Sequence, residues 1–188
     1  ARLLEKAAPG GGDWQLAHGI IGRQALHLAN IVEDLLDVGR AIAGKMSLSP
    51  APLDLHQAVD EALSSLRAAG RTSDRRLNYH GASAWVNADR TRIEQLVGNL
   101  VSNAVQHTEA GGRIGVRLGA AGSEVVLSVT DDGAGMDAET EARAFELFFQ
   151  AQQEPARRRG GLGIGLTLAR RDVEMHGGTN AANRSGGG

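Results

Sequence analysis

Apolar residues recur every seven positions at Ile21, Leu28, Leu35 and Ile42, and Ala25, Ile31, Val32 and Val38 widen them into a stripe. Arg23, Glu33, Asp34, Asp37 and Arg40 fall elsewhere on the wheel. The pattern predicts one long helix ending near Ala43. Upstream, Pro9 to Gly12 separates it from the short piece ARLLEKA, and Asp13 stands where an N-cap is expected. A stripe of this kind packs on another helix. Two readings follow from periodicity: the helix lies on its own domain, or it belongs to a hairpin that pairs with a second copy.

Beyond Gly44 the pattern changes. GKMSLSPAPLDL reads as a hinge and a first edge strand, with Pro50 and Pro52 stopping any helix, and Asp54 caps a helix through about Ala69. After the polar break GRTSDRR, Leu77 to His80 and Ala84 to Asn87 read as short strands, and Asp89 opens a further helix. Arg113 to Leu118 and Glu124 to Thr130 alternate as paired strands across a turn at Ala120 to Ser123. A helix from about Gly163 to His176 closes at Gly177 and Gly178. The elements predict an α+β fold, a mixed sheet covered on one face by helices and preceded by a long helical arm.

Composition narrows the function classes. The 188 residues suffice for one well-packed domain with an attached element, and a formal net charge of -2 gives no electrostatic reason to expect nucleic acid. There is no cysteine, which excludes disulfides and thiolate metal sites and fits a cytoplasmic location. No stretch approaches the roughly 20 apolar residues that cross a bilayer, and ARLLEKAAPGGGDW has no signal-peptide core.

Three segments carry candidate chemistry. In NLVSNAVQHT, Asn99 and Asn103 lie one helical turn apart, so both amides can reach a common point suited to a hydrated magnesium ion. Magnesium takes few protein oxygens and completes its shell with phosphate and water, and Asn103 is assigned as its ligand with Asn99 as the supporting polar residue. In DDGAGM, Asp131 stands against Gly133 and Gly135, which let the chain turn sharply and a flat base approach the backbone. Asp132 is read as the solvated partner. In GGLGIGL, Gly161, Gly163 and Gly165 lead with Leu166 into an apolar helix whose free amides favour phosphate. Each segment alone has a plainer reading: an asparagine satisfying a backbone group, an Asp-Gly turn, or glycine spacers.

In that order the three segments resemble the Bergerat ATP-binding domain shared by gyrase, the heat-shock chaperone, histidine kinases and mismatch-repair proteins, and most of all the sensor histidine kinases. AFELFFQ at Ala144 to Gln150 is similar to the family's phenylalanine box, RRDVEMHGG at Arg170 to Gly178 to the end of its last helix, and HLANIVEDLLDVGRAIAGK at His27 to Lys45 to the second helix of its dimerisation domain. The resemblance spans about Leu16 to Gly178. It implies a Bergerat α/β sandwich that binds ATP and magnesium, with residues 1–45 a partial dimerisation hairpin and residues 46–188 the catalytic domain, its last strand missing. Asp131 then accepts the adenine amino group. AQQEPARRR becomes an ATP lid in which Arg157, Arg158 or Arg159 neutralises phosphate, with Arg159 taken as the representative, and Phe145, Phe148 and Phe149 are packing residues that hold it.

Two departures matter. Gln106 and His107 stand where the family often has an aromatic residue and a phosphate-binding lysine, which weakens the triphosphate contact expected of that turn. Asn99 stands where hydrolytic relatives carry a water-activating glutamate, and an amide is no general base at neutral pH. The resemblance thus implies phosphoryl transfer to a protein histidine and relay to a response-regulator receiver domain, with a homodimer formed through the helical arm. None of the six histidines stands in the family's acceptor setting, an acidic residue followed soon by proline. The acceptor is expected on a segment upstream. A non-catalytic ATP-responsive module is the alternative, and a hydrolytic ATPase a further one.

Overall fold

The computed structural model describes residues 12–42, 47–72, 74–150 and 162–182, in two compact units that divide after Gly44. The first unit is helix α1, Gly12–Ile42. It starts one residue before Asp13, which therefore occupies the first turn and not the N-cap position expected of it. Arg40 bonds Asp37 at 3.0 Å within the last turns. Much of the apolar stripe is exposed, with Leu28 at 60%, Val32 at 57% and Leu35 at 53% of full accessibility, while Ile31 is half-buried and Val38 buried.

The second unit is built as β1 (Ala51–Asp54), α2 (Leu55–Ala68), β2 (Arg76–His80), β3 (Trp85–Ala88), α3 (Arg90–His107), β4 (Arg113–Ala121), β5 (Glu124–Asp131), α4 (Ala138–Arg143) and α5 (Gly165–Met175). Helices α2, α3 and α4 begin where aspartate side chains satisfy free amides. The Asp54 carboxylate accepts from the His56 amide at 3.0 Å and from Ser83 Oγ at 2.8 Å, so one cap also fastens α2 to the chain ahead of β3. Asp89 accepts from the Thr91 and Arg92 amides at the start of α3. Asp137 accepts from Thr140 and starts α4, a helix not expected from the sequence although Asp137 and the early acids Glu139 and Glu141 are its local signal.

The strands form two sheets, one of two strands and one mixed sheet of three. β1 and β3 pair antiparallel, while β2 runs parallel to β4, which pairs antiparallel with β5. Between β2 and β4 the chain passes through β3 and α3, the long crossover that parallel pairing requires. The β4–β5 hairpin is longer than expected: Ala121 pairs with Glu124, leaving a two-residue turn in which Gly122 takes a φ of +65°.

One face of the sheet is apolar. Val116 and Leu118 of β4 share a core with Val59 and Leu63 of α2, Val97 and Val101 of α3, and Ala169 of α5. Each large side chain of this kind contributes about 2 kcal/mol by leaving water. The other face carries Arg76, Asn78, His80, Arg113 and Arg117, all exposed, as period-two alternation dictates. Among the described residues no helix is long and apolar enough to cross a membrane.

Candidate functional site

Helix α3 turns Ile93, Leu96, Val97, Val101 and Ala104 into the core, which leaves Asn99 and Asn103 half-buried on its flank. Asn103, Gln106, His107, Asp131, Gly133, Gly135, Gly163 and Leu166 line one open depression. Asn99 and Gly165 meet beside it: a Cβ on Gly165 would lie 3.7 Å from Asn99 Oδ1. The three segments thus converge although more than 60 positions separate Asn99 from Gly165 in the chain. Gly161, Arg159 and the rest of the lid segment lie outside the described residues.

Asp131 ends β5, and its Oδ1 accepts from the Gly133 amide at 3.0 Å, an Asx turn that leaves the other carboxylate oxygen for a ligand. Gly133 is required by a close approach, since a Cβ there would run into the carbonyl oxygen of His107 at the end of α3. The turn after β5 therefore rests directly on the asparagine-bearing helix. Gly135 has open space around it but a φ of +71°, so its need is conformational. Gly163 needs both freedoms: its φ is +68°, and an added Cβ would sit 2.5 Å from the Phe149 carbonyl oxygen.

Residues 145–149 brace the glycine segment. The Phe148 amide donates to the Gly163 carbonyl at 3.1 Å, and Thr167 Oγ1 donates to the Phe145 carbonyl at 3.1 Å, tying the first turn of α5. Arg143 lies over the Phe149 ring, 4.3 Å from its centroid. Phe145 and Phe149 are half-buried, in keeping with packing roles, but Phe148 is not. Its φ is +64° and its side chain is 56% exposed, because the left-handed turn that aims its amide at Gly163 directs the ring outward.

Asp132 is exposed, as expected of the solvated acid, and it is also bonded: Oδ1 accepts from the Arg113 amide at 2.7 Å and Oδ2 from Arg113 Nε at 3.2 Å. The amide first, and the guanidinium after it, hold this carboxyl below its ordinary pKa. The bonds tie the end of β5 to the start of β4. Sequence reasoning also missed Arg75, which lies in the polar break with no local signal. Its side chain is only 9% exposed, and Nη2 donates to the carbonyl of buried Thr108 at 2.8 Å, a cation on the last turn of α3.

The donor set fits a magnesium-bound polyphosphate. Asn99 Nδ2 is buried with no hydrogen-bond partner among the described residues, an orphaned donor that a phosphate oxygen or an ion-bound water would satisfy. Asn103 offers a hard amide oxygen one turn away, and the first turn of α5 has no side-chain cap.

Comparison with known proteins agrees with this geometry. The family described as histidine kinase-, DNA gyrase B- and HSP90-like ATPase matches residues 88–188. The circadian input-output histidine kinase CikA of Synechococcus elongatus is 32% identical over 156 residues, which cover 81% of this chain and 21% of that protein. Full-length ShkA in complex with AMPPNP superposes with a TM-score of 0.70 at 27% identity, covering 94% of this chain and 36% of that one. Histidine kinase ThkA in complex with the response regulator protein TrrA gives a TM-score of 0.68 over 98% of this chain and 51% of that one, and at 22% identity it shows a shared fold. The chain spans 21% and 36% of the length of the first two curated relatives. With its Bergerat-type sheet and helices, the chain belongs to the histidine kinase-, DNA gyrase B- and HSP90-like ATPases, as an ATP-binding catalytic domain of the histidine kinase type.

Proposed function

We propose that the body, residues 46–188, binds ATP with magnesium and transfers the γ-phosphoryl group to a histidine outside this sequence, from which it passes to a response-regulator aspartate. In this reading an imidazole nitrogen attacks the γ-phosphorus, the bond to the β,γ-bridging oxygen breaks with its electron pair leaving on ADP, and the imidazole gives up its N–H proton to solvent water. Asp131 and Gly133 hold adenine, Asn103 holds magnesium, and Gly161, Gly163 and Gly165 present amides to phosphate. Leu166, Gln106, His107 and Arg159 complete the surroundings. Magnesium, when bound, neutralises and orients the terminal phosphates. Asn99 donates its orphaned amide to that assembly.

Asn99 is the observation that carries the reading. It lies beside the depression, against Gly165, with a buried donor that has no partner among the described residues, and an amide can orient a phosphate or its water shell but cannot deprotonate an attacking water. Transfer is therefore favoured over hydrolysis. The AMPPNP bound to ShkA and the response regulator bound to ThkA support the same assignment. The exposed stripe of α1 supports residues 1–45 as part of a dimerisation hairpin joined to a second copy. ATP and receiver domains locate this chemistry in the cytoplasm.

The test supplies magnesium, γ-labelled ATP and a separate polypeptide carrying the acceptor helix with its histidine. Acid-labile, base-stable label on that polypeptide is expected. ATP binding without transfer would replace the proposal with an ATP-responsive module, and release of free phosphate at a rate exceeding transfer would replace it with a hydrolytic ATPase.

A further inference from the structure

His176 caps the C-terminus of α5, and its ring joins two elements. The Asp89 amide donates to Nε2 at 3.0 Å, and Nδ1 faces the Asp172 carbonyl at 2.7 Å. An amide can only donate, so Nε2 is the accepting nitrogen and the ring proton is on Nδ1, donating to Asp172. The ring's far attachment is firm, because the Asp89 carboxylate is itself held by the amides of Ser49, Thr91 and Arg92.

This clasp lies at the opposite end of α5 from Gly165 and its contact with Asn99. The contact of Gly165 with Asn99 and the bond of His176 to Asp89 show that α5 runs antiparallel along α3. At 1.5 Å per residue, Gly165 to His176 spans about 17 Å and Asp89 to Asn99 about 15 Å, so the two contacts set one sliding register between the helices. The first turn of α5 lacks a side-chain cap, and the Thr167 bond reaches residues 145–149 and not α3. Leu168 and Ala169 of α5 are buried as well, and apolar contact of that kind is non-directional.

We infer that His176 is a positioning residue of the nucleotide site, fixing α5 along α3 so that the amides of its first turn stand in register with Asn99 and Asn103. The inference rests on the proposed role of that turn in holding phosphate. It predicts a selective defect. Adenine contacts Asp131 and Gly133, which α5 does not carry, so loosening the clasp weakens triphosphate binding and spares adenosine.

The test compares ATP and adenosine dissociation constants for the wild-type chain, His176→Phe, which keeps a ring but loses both bonds, and His176→Gln, whose amide can still donate and accept. His176→Phe should weaken ATP binding roughly ten-fold or more, the worth of one displaced hydrogen bond to a charged group, with adenosine affinity unchanged and His176→Gln close to wild type. A merely structural role would lower both affinities together with the folded fraction. In the wild-type chain, linkage requires the converse: ATP, and not adenosine, should slow hydrogen exchange of the Asp89 amide. That measurement decides the matter even where His176→Phe does not fold. Equal loss of both ligands, or equal protection by both, would overturn the inference while leaving the ATP site intact. A wild-type chain that binds no ATP would overturn the site assignment first.

Discussion

Replacing Gly163 by alanine separates what the glycine segment does for the fold from what it does for the ligand. Two costs fall on the new methyl group. A residue other than glycine at φ +68° loses roughly 1–2 kcal/mol to backbone crowding. The Cβ would also stand 2.5 Å from the Phe149 carbonyl oxygen and 3.0 Å from the Phe148 carbonyl carbon, both backbone atoms that no rotamer change can clear. Overpacking of this kind costs about 1–3 kcal/mol. Together they amount to roughly 3 kcal/mol, within the 5–15 kcal/mol by which domains are stable, so the body should stay folded and melt about 6–12 °C lower. The Phe148–Gly163 bond should break, and ATP affinity should fall with it. Gly165→Ala is the control: its nearest neighbour is 3.7 Å away, so it should melt like the wild type while still weakening ATP through its methyl group at the phosphate side. Differential scanning calorimetry with equilibrium binding of ATP checks both. A Gly163→Ala variant with unchanged melting temperature would refute the reasoning from backbone contact.

Further outcomes are expected. Asn103→Ala should weaken ATP binding in magnesium and not in EDTA, whereas Asp131→Asn should weaken adenosine and ATP alike; unchanged affinity in both variants would remove these residues from the site. Because Arg113 depresses the Asp132 carboxyl, its contribution is fully present above the unfolded value of about 3.9 and is lost as pH falls through the lower folded value. Melting temperatures of Asp132→Asn should accordingly depend less on pH below about 4 than those of the wild type. Leu63→Ala, at a fully buried position of α2, should lower stability by about 2–5 kcal/mol in urea unfolding. ATP affinity of the folded Leu63→Ala protein should not change.

Much of this architecture was legible along the chain because its causes are local. Asp54 and Asp89 start helices through amides two or three residues ahead, α2 and the hairpin announce themselves by period, and the three glycine- and asparagine-bearing segments keep their spacing whatever surrounds them. The short helix after Asp137 was not read from the chain: its cap and first-turn acids are local signals, but six residues hold too little periodicity to stand out. What only the tertiary structure decided depends on groups that the sequence keeps far apart. The Gly133 contact with the His107 carbonyl, the hold of Arg75 on Thr108, the tie of Asp132 to Arg113 and the clasp of His176 on Asp89 join residues from 19 to 87 positions distant. Phe148 reads as one more apolar residue until its backbone must turn to reach Gly163. Local chemistry determines which segments can build a nucleotide pocket; packing of the sheet and helices determines which atoms of those segments meet, because a hydrogen bond or a steric contact forms only within a few ångströms and folding alone brings such groups that close.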